Sequence, residues 1–379
     1  MKLTVLLALL AFVTPSLAED IPDGRPPQLS DMASAVTFKS DKDIGIMARF
    51  HFATHTKDFD KAREFYRMLG YTAGQGGFPL SNTHTMARAL GMFDVCQYEL
   101  VKGEVINIPG SLNSANIDLL QFKTVFNDDP PYELPNHIGM AYAALLTTNL
   151  ATDMAFMKSQ GVEFLSEPYG IAGDQFAFFR DPEGVLYKLM EAAPPHGDTK
   201  ADMHITAMPY IGINVSNLEE SLKFYKAMGY TETKPLAQTT GNLEEAKVYG
   251  LDKPFSFKGV DVSIDRGDRH VLRLVQWLSP FNPEPAYPPP INHIGINRIA
   301  LMVPDMERAV KILKDQGVEF LSEIAPCCSG TAADAMAIVH AIDPDGIFLE
   351  LVGPIEPRAL VPQPASCPAL VIKMPPKKS

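Results

Sequence analysis

A long internal duplication constrains the fold of this chain more than any other feature of its sequence. The segment Asn136–Gly139 (Asn-His-Ile-Gly) recurs as Asn292–Gly295, and residues 161–167 recur identically at 317–323 with the same spacing. Each copy is about 150 residues long, well beyond the roughly 20 to 50 residues of a solenoid unit, so the copies should be domains rather than stacked repeats. We place two tandem domains at residues 46–195 and 204–354.

Each copy divides again into two modules of similar pattern. In the first copy, Asp58 and Asn149 each stand between an apolar, strand-like stretch and an amphipathic helix, where a helix N-cap is expected. Asn217 and Asp305 occupy the same places in the second copy. Short strands separated by turn residues follow each helix. We therefore predict the order β-α-β-β-β for every module.

Two motifs give this pattern a specific resemblance. The first helix of each copy carries Phe-Tyr-x-x-x-Gly, at 65–70 and 224–229, and each copy closes on an Asp-Pro-Glu-Gly or Asp-Pro-Asp-Gly turn before a last strand, at 181–184 and 343–346. Paired βαβββ modules with these motifs resemble the vicinal oxygen chelate superfamily, which contains glyoxalase I, extradiol dioxygenases and antibiotic-resistance proteins. The resemblance covers nearly all of residues 46–354. It implies an α+β fold in which each domain is built from two βαβββ modules that form a cupped mixed sheet.

The resemblance also implies where a divalent metal would be bound, on the strands that line each cup. In the first domain these positions hold His51, Asp118, Tyr142 and Lys188, and in the second domain they hold Tyr210, Arg273, Arg298 and Glu350. Only His51, Asp118 and Glu350 are conventional ligands for a hard metal, and neither domain has a complete set. Bound Fe, Mn, Ni or Zn and the absence of any metal both stay open.

His51 and Asp118 are the candidate catalytic residues, in the cup of the first domain. With a metal they would support glyoxalase-like or dioxygenase-like chemistry; without one, Asp118 could orient the imidazole of His51 for acid–base catalysis near neutral pH. The leading hypothesis is an enzyme, a lyase, isomerase or dioxygenase that acts on a small oxygen-bearing molecule. The alternative is a metal-free protein that binds or sequesters a small molecule, which Lys188 favours because an ammonium group has no lone pair to donate.

Several further residues are candidates for substrate contacts. They are His55, His84, Tyr142, Lys188, Tyr210, Arg273 and Arg298. Four residues beyond His51, His55 should face the same side of its strand and could replace a missing ligand. His84 precedes a short helix that could cover the cup. Arg273 and Arg298, with Glu350, could form a buried ion-pair cluster that is either architectural or grips a carboxylate or phosphate.

The charge of the chain argues against a nucleic-acid partner. The formal net charge is −12 and the isoelectric point is near 5.2, with no stripe rich in Lys and Arg. Such a surface repels phosphate backbones. The expected partner is a small-molecule ligand, and a homodimer is possible.

The first eighteen residues have the pattern of a signal peptide. Lys2 precedes the apolar run Leu3–Val13, and Ser16 and Ala18 provide small residues for cleavage before Glu19. The apolar run is about half as long as the roughly 20 residues of a membrane span. We predict a periplasmic or secreted protein that has no membrane segment after cleavage, with a linker at 19–45 and a tail at 355–379. An uncleaved N-terminal anchor is the alternative.

Four cysteines would then lie in an oxidising compartment. They are Cys96, Cys327, Cys328 and Cys367. Such a compartment permits disulfides without requiring them, and no Cys-x-x-Cys spacing suggests structural zinc. Scattered, partly buried thiols are the alternative, and the pairing stays open.

Overall fold

The computed structural model describes most of the chain between residues 36 and 355. The described ranges are 36–75, 79–80, 82–109, 116–191, 203–264, 271–327 and 336–355. The signal-like segment and nearly all of the C-terminal tail lie outside these ranges. No helix within them has the length and apolar character needed to cross a membrane.

Four modules follow one another along the chain. Module 1 contains β1 (Ala48–His55), α1 (Phe59–Met68), β2 (Ala73–Gln75), α2 (His84–Ala89), β3 (Glu99–Asn107) and β4 (Ile117–Thr124). Module 2 contains β5 (Gly139–Thr147), α3 (Leu150–Ser159), β6 (Phe176–Arg180) and β7 (Leu186–Glu191). Module 3 contains β8 (Ile205–Ala207), β9 (Tyr210–Asn214), α4 (Leu218–Ala227), β10 (Glu232–Gly241), α5 (Leu243–Val248), β11 (Phe255–Ser263) and β12 (Val271–Ser279). Module 4 contains β13 (Gly295–Met302), α6 (Met306–Asp315), β14 (Glu319–Phe320), β15 (Ala325–Pro326), β16 (Met336–Ile342) and β17 (Phe348–Pro354).

The long helix of each module begins where the sequence predicts. The side chains of Asp58, Asn149, Asn217 and Asp305 each accept a hydrogen bond from a backbone N–H in the first turn of the helix that follows. These bonds satisfy donors that the first helical turn otherwise leaves without a partner. All four predicted N-caps are confirmed.

The strands form two mixed sheets, each made from two modules. Sheet 1/4 has the strand order β14-β16-β17-β13-β1-β4-β3-β2, and sheet 2/3 has the order β10-β11-β12-β9-β5-β7-β6. Antiparallel pairing of β1 with β13 joins the two modules of sheet 1/4, and antiparallel pairing of β5 with β9 joins those of sheet 2/3. The predicted fold class, α+β with paired modules in cupped mixed sheets, is confirmed.

The partners within each sheet differ from the expected ones. We expected modules 1 and 2 to share one cup and modules 3 and 4 the other. Instead the two outer modules share sheet 1/4, and the two inner modules share sheet 2/3. The modules are alike, so either arrangement pairs the same first strands and satisfies their backbone groups. The ranges 46–195 and 204–354 therefore describe the duplication and not the sheets.

One apolar core lies between the two sheets and contains residues of all four long helices. The repeated motifs contact each other across this core. The Tyr66 hydroxyl donates to Asp181 Oδ2 (3.0 Å), and the Tyr225 hydroxyl donates to Asp343 Oδ2 (3.3 Å). Neighbouring modules in the sequence are thus packed back to back, and the two cups lie on the faces of the sheets that do not form this core.

This arrangement predicts that the two halves of the chain need each other. Residues 36–191 alone would leave the edges of β1 and β5 without their partners, and residues 203–355 alone would leave β9 and β13 exposed. We expect the two fragments to form a 1:1 complex when co-expressed, with the circular dichroism spectrum and unfolding midpoint close to those of the intact chain. A fragment that is monomeric by sedimentation and unfolds cooperatively on its own would contradict this expectation.

Candidate functional site

The eight residues at the metal positions of the superfamily divide equally between the two cups. The cup of sheet 1/4, here the 1/4 cup, collects His51, Asp118, Arg298 and Glu350, while the cup of sheet 2/3, here the 2/3 cup, collects Tyr142, Lys188, Tyr210 and Arg273. The three candidate metal ligands, which we assigned to different domains, therefore converge. The suggested cluster of Arg273 with Arg298 and Glu350 is wrong, because the two arginines lie in different sheets.

An arginine lies between the two carboxylates of the 1/4 cup. Arg298 Nε donates to Glu350 Oε2 (2.8 Å), and its Nη2 donates to Asp118 Oδ2 (3.2 Å). His51 Nε2 lies 3.8 Å from each of these same two oxygens. His51 and Arg298 are each 5% exposed, and both carboxylates are 3% exposed. The two carboxylates are therefore bonded to a cation of the protein and are largely shielded from solvent.

Burial and charge act in opposite directions on the acidic groups of this cup. Burial raises the pKa of Asp118, against the lowering effect of His51 and Arg298. Burial also raises the pKa of Glu350, but the combined effect of Arg298 and the histidines outweighs it and holds that pKa well below its usual range. His340 on β16, which sequence reasoning missed, has its Nε2 4.0 Å from Glu350 Oε2, and burial lowers its pKa to about 4. Glu350 is therefore ionised at neutral pH, and His340 is neutral.

These residues do not fit a divalent metal. The oxygens of Asp118 and Glu350 that face His51 are the ones bonded to Arg298, so a metal would compete with a fixed cation for the same donors. Within the described ranges, no group of three His, Cys, Asp or Glu side chains has an arrangement that could hold a metal ion. We derive no metal-dependent step for this cup.

Helix α2 and the segment after it close the 1/4 cup with apolar packing. Met86, Ala87 and Ala89 of this helix belong to one buried cluster with Leu120 and Phe348 of the sheet. The predicted covering helix after His84 is thus present, but it is packed into the cup. Among the described residues, neither ring nitrogen of His51 has a hydrogen-bond partner. A substrate could reach His51 only if this cluster moved.

His55 does not join the ligand set. Its Nδ1 lies 3.2 Å from the carbonyl oxygen of Leu120, and its ring packs edge-on against Phe122 and Phe126. Burial lowers its pKa to about 4. His55 therefore fixes β1 against β4 as a neutral side chain.

The 2/3 cup contains an open cavity of about 280 Å³. Three of the predicted substrate-contact residues line it, namely Tyr142, Lys188 and Arg273. The aromatic rings of Tyr249, Phe257 and Trp277 line it as well. The cavity therefore combines two basic side chains with an apolar, aromatic wall.

The two basic side chains of this cavity have different partners. Arg273 Nε and Nη2 donate to the two oxygens of Asp261 (2.7 and 2.9 Å), and its guanidinium carbon lies 3.9 Å from the ring centre of Tyr210. Lys188 has no carboxylate partner within the described ranges, and its Nζ lies 3.7 Å from the ring centre of Phe176. Burial, with the charge of Arg273, lowers the pKa of Lys188 to about 7. The cavity has one cation more than it has anions when Lys188 is protonated.

Two short-range contacts hold the aromatic wall in place. A Cβ at Gly212 would lie 2.5 Å from the ring of Tyr142, so the glycine lets this ring lie against β9. Asn214 donates to the carbonyl oxygens of Pro135 and His137 (2.6 Å each) and accepts from Trp277 Nε1 (3.1 Å). Sequence reasoning missed Trp277, although it aligns with Phe122 in the repeat.

Residues 207–351 match the family model of the Glyoxalase/Bleomycin resistance protein/Dioxygenase superfamily. Over these residues the match confirms the resemblance found in the sequence motifs. A comparison with curated proteins found no match.

Several solved structures are similar in overall arrangement. Glyoxalase I from Zea mays is 17% identical, with a TM-score of 0.49, over 81% of this chain and 92% of that chain. A putative dioxygenase from Bacillus subtilis subsp. subtilis str. 168 is 11% identical, with a TM-score of 0.46, over 81% of this chain and 85% of that chain. Neither similarity assigns an activity or a ligand to this chain.

We expect Arg298→Ala to destabilise the protein by about 3 to 5 kcal/mol at pH 7, because it leaves two buried carboxylates without a counter-charge. The matched control is Lys311→Ala, which removes an exposed ion pair with Asp315 and should cost less than about 1 kcal/mol. The free energy of unfolding of each variant would be measured by urea denaturation. The difference between wild type and Arg298→Ala should shrink as the pH falls below about 4.5, since the stability gained from a carboxylate of lowered pKa is lost as the pH falls through that lowered pKa. Equal costs for the two variants at pH 7 would show that Arg298 does not hold the cup together.

Proposed function

We propose that this protein is a metal-free binding protein for a small organic anion with an aromatic or apolar body, held in the 2/3 cup. The observation that carries the proposal is the cavity in which Lys188 and Arg273 face an aromatic wall. These two basic side chains stand at positions where the superfamily implies metal ligands. The alternative that we drew from Lys188 in the sequence is therefore the one that the geometry favours.

The chemistry of the lining selects the ligand class. A cavity of about 280 Å³ matches a small ligand, and pockets of this kind take their affinity from apolar contacts and their orientation from a few polar groups. Arg273 uses Nε and Nη2 on Asp261, which leaves Nη1 without a protein acceptor among the described residues. A carboxylate placed beside this nitrogen and Lys188 would gain charge-assisted hydrogen bonds.

The catalytic hypothesis for His51 and Asp118 has weaker support. Their closest approach is 3.8 Å, which is longer than a hydrogen bond, and the apolar cluster around α2 covers them. We assign the 1/4 cup a structural role, in which Arg298 links the two halves of the chain.

Fluorescence of Trp277 offers a direct test, because it is the only tryptophan in the chain. We expect phenylacetate to change its emission on titration and to bind at least tenfold more tightly than phenylacetamide, its uncharged counterpart. Lys188→Met should weaken phenylacetate binding at pH 6.5 by about tenfold, since a hydrogen bond to a charged group contributes about 1.5 to 3 kcal/mol. Affinity should fall between pH 6 and pH 8, as Lys188 with its pKa of about 7 loses its charge.

The matched control for this titration is Lys223→Met. Lys223 is exposed and pairs with Glu219 on α4, away from the cavity lining. It should bind phenylacetate as the wild type does. Equal affinity for the acid and the amide, with no effect of Lys188→Met, would refute the proposal.

We further propose that the protein is exported. The signal-like pattern of residues 1–18 supports this, and so do Cys96 and Cys327, which are each disulfide-bonded. Disulfides persist mainly in oxidising compartments. Cys328 and Cys367 lie outside the described residues.

We expect the protein recovered from a periplasmic or culture fraction to begin at Glu19. Intact mass measurement and N-terminal sequencing would establish this, and the mass should rise on reduction as disulfides open. Replacing Leu6 and Leu7 by Asp should keep the protein in the cytoplasm, since it interrupts the apolar run. A full-length cytoplasmic chain in the wild type would contradict the proposal.

A further inference from the structure

Unlike Arg273, Lys188 has no acidic partner among the residues that the structure describes. Its side chain is 8% exposed and its described contacts are with aromatic rings, at 3.7 Å from the centre of Phe176 and 6.0 Å from that of Phe178. Lys188 is nevertheless one of the residues that line the cavity. A buried lysine without an ion pair lowers the stability of the fold, so a structural role does not explain its presence here.

We propose that Lys188 captures the carbonyl carbon of a small oxo acid as a reversible imine, while Arg273 holds the carboxylate of the same molecule. This inference rests on the proposed function, because it needs the same cavity to accept an organic anion. It adds covalent chemistry and narrows the ligand class to aldehyde or ketone acids with an apolar body.

The reaction is balanced without any oxidant, reductant or metal. The neutral amine of Lys188 attacks the carbonyl carbon, and a C–N bond forms as the C=O π electrons move to oxygen. Proton transfer from nitrogen to oxygen gives a carbinolamine, which loses one water to give the imine. Hydrolysis by the reverse steps releases the oxo acid unchanged.

The charges around Lys188 supply the neutral amine that the first step needs. Burial is the main cause that lowers its pKa to about 7, and Arg273 adds to it, while Asp174 and Asp261 act in the opposite direction. At pH 7 the Lys188 amine is therefore neutral in about half of the molecules, compared with far less than one per cent for a lysine of ordinary pKa. Desolvation next to another cation is a known way to activate a lysine nucleophile.

The neighbouring groups favour one orientation of the ligand. Lys188 pairs with Ala144 across β7 and β5, and Tyr142 lies two residues before Ala144 on the same face. Arg273 lies on β12, on the far side of the β5–β9 junction from Lys188. Both side chains line the same cavity, so a 2-oxo acid held between them would present its carboxylate to Arg273 and its adjacent ketone to Lys188.

The test is reductive trapping with phenylpyruvate, which carries a ketone, a carboxylate and an aromatic ring. Purified protein is incubated with phenylpyruvate and sodium cyanoborohydride, digested, and mapped by peptide mass spectrometry. We expect one reduced adduct per chain, on Lys188, and competition by phenylacetate. With saturating phenylpyruvate, the initial labelling rate should rise about tenfold between pH 6 and pH 8, following the neutral fraction of an amine of pKa about 7.

Two variants separate the imine from simple binding. Lys188→Arg keeps the cation but has no amine that can form an imine, so it should give no adduct at this position, while Lys223→Met should bind phenylacetate and be labelled as wild type is. Circular dichroism confirms that each variant is folded. If Trp277 reports binding of phenylacetate but no adduct forms on Lys188 of the wild type, the imine is refuted and the binding function stands. If neither ligand binds, both proposals fail.

Discussion

The antiparallel pairing of β1 with β13 is the constraint on which the rest of the structure depends. It joins the first module to the last and brings Asp118 within 3.2 Å of Arg298, although 180 residues separate them in the sequence. The inner modules then have only each other as partners, through β5 and β9. Both cups, and the residues that line them, follow from this choice of strand partners.

The two cups carry different charges at the positions where the sequence resemblance implies metal ligands. In the 1/4 cup the guanidinium of Arg298 lies between two carboxylates, and these charged side chains are almost fully buried. In the 2/3 cup Arg273 has one carboxylate partner and Lys188 has none within the described part of the chain, so positive charge remains. A closed cup whose carboxylates are bonded to an internal cation suits architecture, and an open cup with excess positive charge suits an anionic ligand.

The sequence predicted the local features of the fold well and the long-range ones less well. The caps at Asp58 and Asp305 depend on residues a few positions away, so the sequence pattern is sufficient to find them. The contact between Tyr66 and Asp181 joins two recognised motifs, but nothing in either motif indicates that they meet. His340 was not predicted as a site residue. Helix α2 was expected to cover the cup, but its packing into the cup was not foreseen. Neither belongs to a motif that recurs in the other copy.

The pairing of modules could not be predicted from the sequence, because four similar modules satisfy the same strand edges in more than one arrangement. The buried charged residues, however, indicate which modules pair. His51 and Asp118 on their own leave a buried carboxylate without a strong partner, and Arg298 and Glu350 on their own leave the guanidinium with one acceptor fewer. Combined, the four residues place one guanidinium between two carboxylates, and buried charges require such partners. Matching the buried charges of the four modules would therefore have favoured pairing the first module with the last. The charged partners of Asp118 and Glu350 lie within one cup, although they come from different halves of the chain.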